Sequence, residues 1–241
     1  MIETEKLMGK GTVIVIEGTD GSGKQTQSEK LYKALLEMGL KVRKVQYPDY
    51  DSESSALVKM YLRGDFGMDP ESVSPYVASS FFAVDRYASF NRSWKEFYED
   101  GGIVIADRYA TANMVHQASK IADEGERVKF LDWEYDLEFN MYRIPVPDIV
   151  FFLDVPPSVS RRLTADRKNK ITGEDEKDIH ESDLHHMESS YQNAHFVADR
   201  YKWEKIMCTH GGEMRPIEDI FSEILGTTVA RLRKTGAIPC K

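Results

Sequence analysis

Short apolar runs alternate along the chain with longer stretches in which apolar residues recur every three or four positions. TVIVIE (12–17), IVIAD (103–107) and DIVFFLD (148–154) are nearly continuous apolar runs, the pattern of strands buried on both faces. VRKVQY (42–47), ended by Pro48, predicts another strand, and KIMC (205–208) is the candidate for a fifth. Between them lie helical patterns. Residues 25–38 place Leu31, Leu35 and Met38 on one face, with Gly39 as the stop. A short helix is predicted over 54–62 and stopped by Gly64. Asp69-Pro70 and Ser74-Pro75 read as helix starts, and the helical stretch that follows runs to Asp100, where Gly101-Gly102 breaks it. Helical pattern fills much of 110–142, interrupted near 123–125 and ended by Pro145 and Pro147. Helices at 157–168, about 180–200 and 216–233 complete the pattern, with a polar segment at 169–178.

Strands without alternation, separated by helices, imply an α/β chain with a parallel sheet covered on both faces. Such sheets bind ligands at the carboxyl ends of their strands. Those ends carry the unusual residues: the loop after Glu17, Tyr47-Pro48, Asp107-Arg108 and Asp154. No internal repeat, low-complexity tract or linker interrupts the chain, so residues 1–241 read as one domain.

Composition narrows the function classes. With 241 residues and 41% hydrophobic content, the chain can bury a sizeable core. A formal net charge of -8 argues against non-specific binding to a nucleic acid polymer or a membrane surface, while leaving room for a local basic pocket. The opening MIETEKLMGKG has no apolar core of signal-peptide length, and the longest aliphatic/aromatic run, IVFFL (149–153), is far shorter than a membrane span. Cys208 and Cys240 form no metal or redox spacing. A reducing, cytoplasmic setting is the default expectation.

GTDGSGKQTQ (18–27) follows the first strand and opens the first helix, the context of a phosphate-binding loop. Gly18, Gly21 and Gly23 let the backbone turn its N–H groups toward a polyphosphate, and the helix start near Lys24 adds its positive end. Lys24 can reach the β- and γ-phosphates of a nucleotide. The whole segment Gly18, Thr19, Asp20, Gly21, Ser22, Gly23, Lys24, Gln25 and Thr26 is therefore the candidate ATP cradle. Gln25 stands where a Ser or Thr hydroxyl normally ligates Mg²⁺. Its amide oxygen can hold a hard cation or one of its waters, and Asp107, at the end of the third strand, can anchor the metal directly or through water. The alternative role for Asp107 is a helix cap. A phosphate loop alone is compatible with a GTPase, an ATPase motor, a transporter or a small-molecule kinase.

Phe82 and Arg86 are four residues apart on one predicted helix face, a ring beside a guanidinium. Arg108 offers a fork of donors suited to a phosphate. Asn113 carries both donor and acceptor, as an imide edge requires. The ordered set GTDGSGK, FFAVDRY (81–87), DRYATANMVHQ (107–117) and LDVPPSVSRR (153–162) resembles the thymidylate kinases of the nucleoside monophosphate kinase group, over about residues 12–198. The resemblance implies a three-layer P-loop kinase fold with a five-stranded parallel sheet flanked by helices and a lid segment, about 166–180. It implies that Phe82 stacks on thymine, Arg86 donates to its O4, and Asn113 meets N3 and O4. It further implies that Arg108 grips the acceptor phosphate, Asp20 accepts from the deoxyribose 3′-OH, and Tyr50 lies near the sugar. Gln117 fits the family's Gln, whereas His116 replaces a Tyr.

Because the loop position that is basic in some relatives is Gly21, the positive charge at the transferring phosphoryl group is expected from the lid, among Arg161, Arg162, Arg167, Lys168 and Lys170, with Arg167 first, either for that role or for stacking on adenine. The implied reaction is phosphorylation of dTMP by ATP with Mg²⁺, giving dTDP for dTTP synthesis, in a homodimer. The competing readings are a deoxynucleoside or other nucleotide kinase, for which Glu17 is the available base, and a nucleotide-binding protein without turnover, for which Gln25 speaks.

Overall fold

Thr12–Glu17 forms β1, the middle strand of a five-stranded parallel sheet. The computed structural model describes residues 11–164 and 183–239. β2 (Val42–Gln46), β3 (Ile103–Asp107), β4 (Ile149–Asp154) and β5 (Glu204–Met207) complete the sheet in the order β2-β3-β1-β4-β5. Every residue of β3 and β4 is buried, as their unbroken apolar runs require. The two edges are the shorter or more charged strands, β2 and β5.

Successive residues of β1 point to opposite faces, and each face builds its own core. Ile14 and Ile16 join Leu31 and Leu35 of α1 (Lys24–Glu37) and Ile220 and Ile224 of the C-terminal helix Ile217–Lys234. Val13 and Val15 join Trp94, Tyr109, Phe130 and Phe139 on the other face. Each such side chain taken wholly out of water contributes about 1.5–3 kcal/mol, which is what ties the helices to the sheet.

The register aligns the strand ends. Ile16 pairs with Asp107, Asp107 with Gln46, Glu17 with Phe152, and Asp154 with Met207. The carboxyl ends therefore form a continuous rim carrying the sequence's unusual residues, as the fold class predicts.

Four local expectations change. Met38 is exposed rather than part of the buried face, because α1 ends at Glu37 and the chain turns away at Gly39, φ 76. The break in 110–142 comes earlier than expected. α5 (Ala110–His116) stops before a 3-10 turn at Ala118–Lys120, and α6 (Glu124–Tyr135) starts where Asp123 Oδ1 accepts from Glu126 N at 2.9 Å, so Gly125 lies inside a helix. The long helix after Ser74, which follows α2 (Ala56–Leu62), is α3 (Pro75–Ser89), then a π-turn at Phe90–Trp94 and the short α4 (Lys95–Glu99). A hairpin of Thr209–His210 and Glu213–Met214, unforeseen from the sequence, turns at Gly211-Gly212, both with positive φ. The helix expected at 157–168 is described as Pro157–Thr164; the rest of it, the polar segment and the lid lie outside the described residues.

Candidate active site

The phosphate loop runs from Gly18 into α1. A Cβ on Gly18 would sit 2.6 Å from Ser22 Oγ and 3.0 Å from Leu153 O, so the close approach requires glycine. Gly23, just before α1, is left-handed at φ 90. Lys24 folds over the loop: its Nζ donates to the carbonyl oxygens of Gly18 and Thr19, each at 2.8 Å. Burial, reinforced by the neighbouring Arg108 cation, pulls the Lys24 ammonium down to about 8.

Arg108 links this loop to the end of β3. Its backbone is left-handed, φ 65, with its N–H donating to Ile16 O at 3.2 Å. The guanidinium fork is spread over three groups. Nη2 donates to Asp20 Oδ1 at 2.5 Å, Nη1 donates to His116 Nε2 at 2.9 Å, and Glu17 Oε1 lies 3.7 Å away. His116 thus accepts with an unprotonated nitrogen. Burial and the Arg108 charge hold its titration well below the usual histidine range. Glu17 is fully buried and already accepts from Gly18 N at 2.9 Å and Thr111 Oγ1 at 2.7 Å. A carboxylate so engaged is a support for the loop and for Arg108, which removes the base a nucleoside kinase would need.

Asp107 does not cap α5: the residue at the cap position is Tyr109, without a side-chain bond. The Asp107 carboxylate makes no side-chain hydrogen bond among the described residues and lies close enough to Lys24 to act on its charge. Gln25 and Thr26 are exposed at the start of α1. Thr19 Oγ1 and Ser22 Oγ are buried without hydrogen-bond partners among the described residues. The Asp107 carboxylate and the accessible Gln25 amide are oxygen ligands that suit a hard divalent cation carried on a polyphosphate. No cluster of three or more His, Cys, Asp or Glu able to hold a metal by itself exists among the described residues, so nucleotide oxygens and water must complete such a shell.

The second half of the site lies between α3, α5 and α6. Phe82 is half-buried and meets Tyr61 edge-on, ring centroids 6.1 Å apart, beside Tyr50 in one small apolar cluster. Arg86 is 1% exposed, not a surface residue. Its Nε donates to Glu138 Oε1 at 2.8 Å and Oε2 at 3.0 Å, Nη2 also bonds Glu138, and Glu134 Oε1 lies 3.8 Å from Nη2. Nη1 has no hydrogen-bond partner among the described residues. Asn113 Nδ2 donates to Ser79 O at 3.2 Å and Glu134 Oε1 at 2.8 Å. The expectation that Asn113 offers both a donor and an acceptor is corrected here: both amide hydrogens are used, and Oδ1 alone remains. Gln117 is buried at the end of α5, its Oε1 without a partner among the described residues.

Sequence reasoning missed Glu134 and Glu138. They stand 48 and 52 residues after the arginine they face, in a segment dense with surface-like charge, and no local pattern signals their burial. Of the lid candidates, Arg161 and Arg162 are exposed on the helix Pro157–Thr164. Arg162 Nη2 is tied to Gly212 O at 2.7 Å and Glu213 Oε1 at 3.1 Å, which directs it to the hairpin. Arg167, Lys168 and Lys170 lie outside the described residues.

A family model described as thymidylate kinase matches residues 16–207. The chain is similar to the probable thymidylate kinase of Thermococcus gammatolerans, 31% identical over 162 residues, covering 66% of this chain and 73% of the relative. It is similar to the thymidylate kinase of Plasmodium falciparum, 27% identical over 218 residues, covering 90% of this chain and 89% of the relative. The human thymidylate kinase is 31% identical over 147 residues, covering 61% and 62%. Because the family model spans most of its length, phosphate loop and Arg108 fork included, this chain belongs to the thymidylate kinase family.

Proposed function

We propose that the chain transfers the γ-phosphoryl group of ATP to dTMP, giving dTDP. The observation that carries this is the bond from Arg108 to Asp20, which makes the acceptor-phosphate ligand and the nucleotide loop one continuous surface. Phosphoryl transfer asks a protein for alignment and charge neutralisation more than for covalent chemistry. Lys24 and the loop N–H groups hold the donor phosphates. Arg108 holds the acceptor phosphate, and Asp20 accepts from the sugar hydroxyl. Phe82 stacks on the base with Tyr50 and Gln117 at its margin. Thymine presents O4, an acceptor, and N3–H, a donor; Arg86 Nη1 and Asn113 Oδ1 are the matching pair.

Asp107 and Gln25 are the residues that would hold Mg²⁺, which, when bound, neutralises charge on the phosphate oxygens. Arg167 supplies the remaining positive charge from the lid. The active form is a cytoplasmic homodimer, supported by Val77, Val84 and Tyr87, which leave an exposed apolar stripe along α3. No helix among the described residues is long and apolar enough to cross a membrane.

An ADP-release assay across dTMP, dUMP, dCMP, other monophosphates and thymidine tests the function. Turnover with dTMP and none with thymidine is expected. Turnover with thymidine in place of dTMP would overturn it.

A further inference from the structure

Glu134 is completely buried, yet only one of its oxygens has a hydrogen-bonding neighbour that donates to it. Oε1 accepts from Asn113 Nδ2, whereas Oε2 has no donor among the described residues. Among the described residues the cation facing these acids is Arg86, which is committed to Glu138 through three hydrogen bonds. Two ionised carboxylates against a single guanidinium would leave one uncompensated negative charge in the interior, which is costly. Burial and the adjacent Glu138 charge push Glu134 well above the usual carboxylate range. A protonated Glu134 resolves both problems. Its carbonyl oxygen accepts from Asn113, the proton sits on the orphaned Oε2, and the group as a whole is neutral.

We propose that Glu134 is a specificity-positioning residue: together with Ser79 O it takes both amide hydrogens of Asn113 and thereby presents Oδ1, and only Oδ1, to the acceptor base. An acceptor at that place matches the N3–H of thymine or uracil and opposes the lone pair on N3 of cytosine. Arg86, fixed by Glu138 so that Nη1 is the spare donor, matches O4 and opposes the cytosine amino group. The two buried acids, neither of which needs to touch substrate, thus set the polarity of both base-reading groups. The inference rests on the acceptor site proposed above.

The test compares Glu134→Gln and Glu134→Leu with the unmodified protein, measuring KM and kcat for dTMP, dUMP and dCMP, KM for ATP, and the infrared band of a protonated carboxyl group. Gln copies the acid's donor and acceptor, so E134Q keeps the preference for dTMP over dCMP and loses the band. Leu removes the clamp, so E134L raises KM for dTMP and dUMP alike by about tenfold, lowers the preference over dCMP by a similar factor and leaves KM for ATP unchanged. A purely structural role would not shift base preference while sparing ATP. Unchanged dTMP preference in a folded E134L, loss of preference in E134Q, or no protonated-carboxyl band assigned to Glu134 would each overturn the inference. If E134L does not fold, the E134Q kinetics and the band still decide. Absence of any dTMP turnover in the unmodified protein would instead defeat the acceptor assignment, and the band would judge the Glu134 protonation separately.

Discussion

Arg108 and Asp20 are 88 residues apart in sequence and joined by a hydrogen bond of 2.5 Å between Nη2 and Oδ1. One belongs to the end of β3, the other to the phosphate loop. The pair ties the end of that strand to the loop at a fixed separation.

Replacing Arg108 with Lys keeps a charge but loses the fork, and with it the simultaneous hold on Asp20 and His116. R108K is expected to lower kcat for dTMP by about 10²–10³, the scale of removing one preorganised donor. Steady-state kinetics with ATP and dTMP varied in turn check it; a change confined to KM for ATP contradicts the assignment.

Lys24 gives the site a pH dependence. Its ammonium titrates at about 8, below its ordinary value, so the charged form dominates at neutral pH and is lost as pH rises through that value. The expected result is a fall of about tenfold in kcat/KM for ATP between pH 7 and pH 9. kcat should fall less, because bound phosphate charge favours the ammonium. A flat kcat/KM profile over that range rules out the shifted lysine as the phosphate ligand.

Asp107 and Gln25 predict opposite responses to magnesium. Asp107→Asn removes the carboxylate and should raise the free Mg²⁺ needed for half-maximal turnover by about 10–100-fold. Gln25→Thr restores the usual hydroxyl and should lower it. Titrations at constant ATP read both, and a Gln25→Thr curve identical to that of the unmodified protein shows that residue 25 is not a direct ligand.

The α3 stripe makes a separate prediction. Val84 is exposed in the single chain, and Val84→Glu places a charge in the proposed subunit contact. Size-exclusion chromatography with light scattering should show the unmodified protein as a dimer and the variant as a monomer. Two monomers would refute the contact.

The sheet was legible because burial on both faces leaves a strong mark: TVIVIE, IVIAD and IVFFLD carry almost no polar residue. The phosphate loop was legible because its glycines and Lys24 are contiguous in sequence. The base-reading group was legible only in part. Phe82 and Arg86 share one helix turn, but the acids that orient Arg86 and Asn113 come from a different helix and a π-turn, Glu134 in α6 and Glu138 in Asp136–Met141. A buried acid is defined by what packs against it, and spacing along the chain does not carry that information. The same holds for His116, whose acceptor role depends on Arg108 arriving from the left-handed end of β3.

The three innermost strands have one further consequence, outside the folded state. Six-residue segments rich in Val, Ile and Phe pair readily with copies of themselves once exposed. In the native sheet they are shielded by β2, whose Lys44 is paired to Glu29, and by the four-residue β5. A core substitution such as Phe151→Ala, which removes about 3–5 kcal/mol, therefore endangers solubility before it endangers the chemistry. Loss of activity in such a variant would register first as precipitate, with the remaining soluble molecules turning over normally.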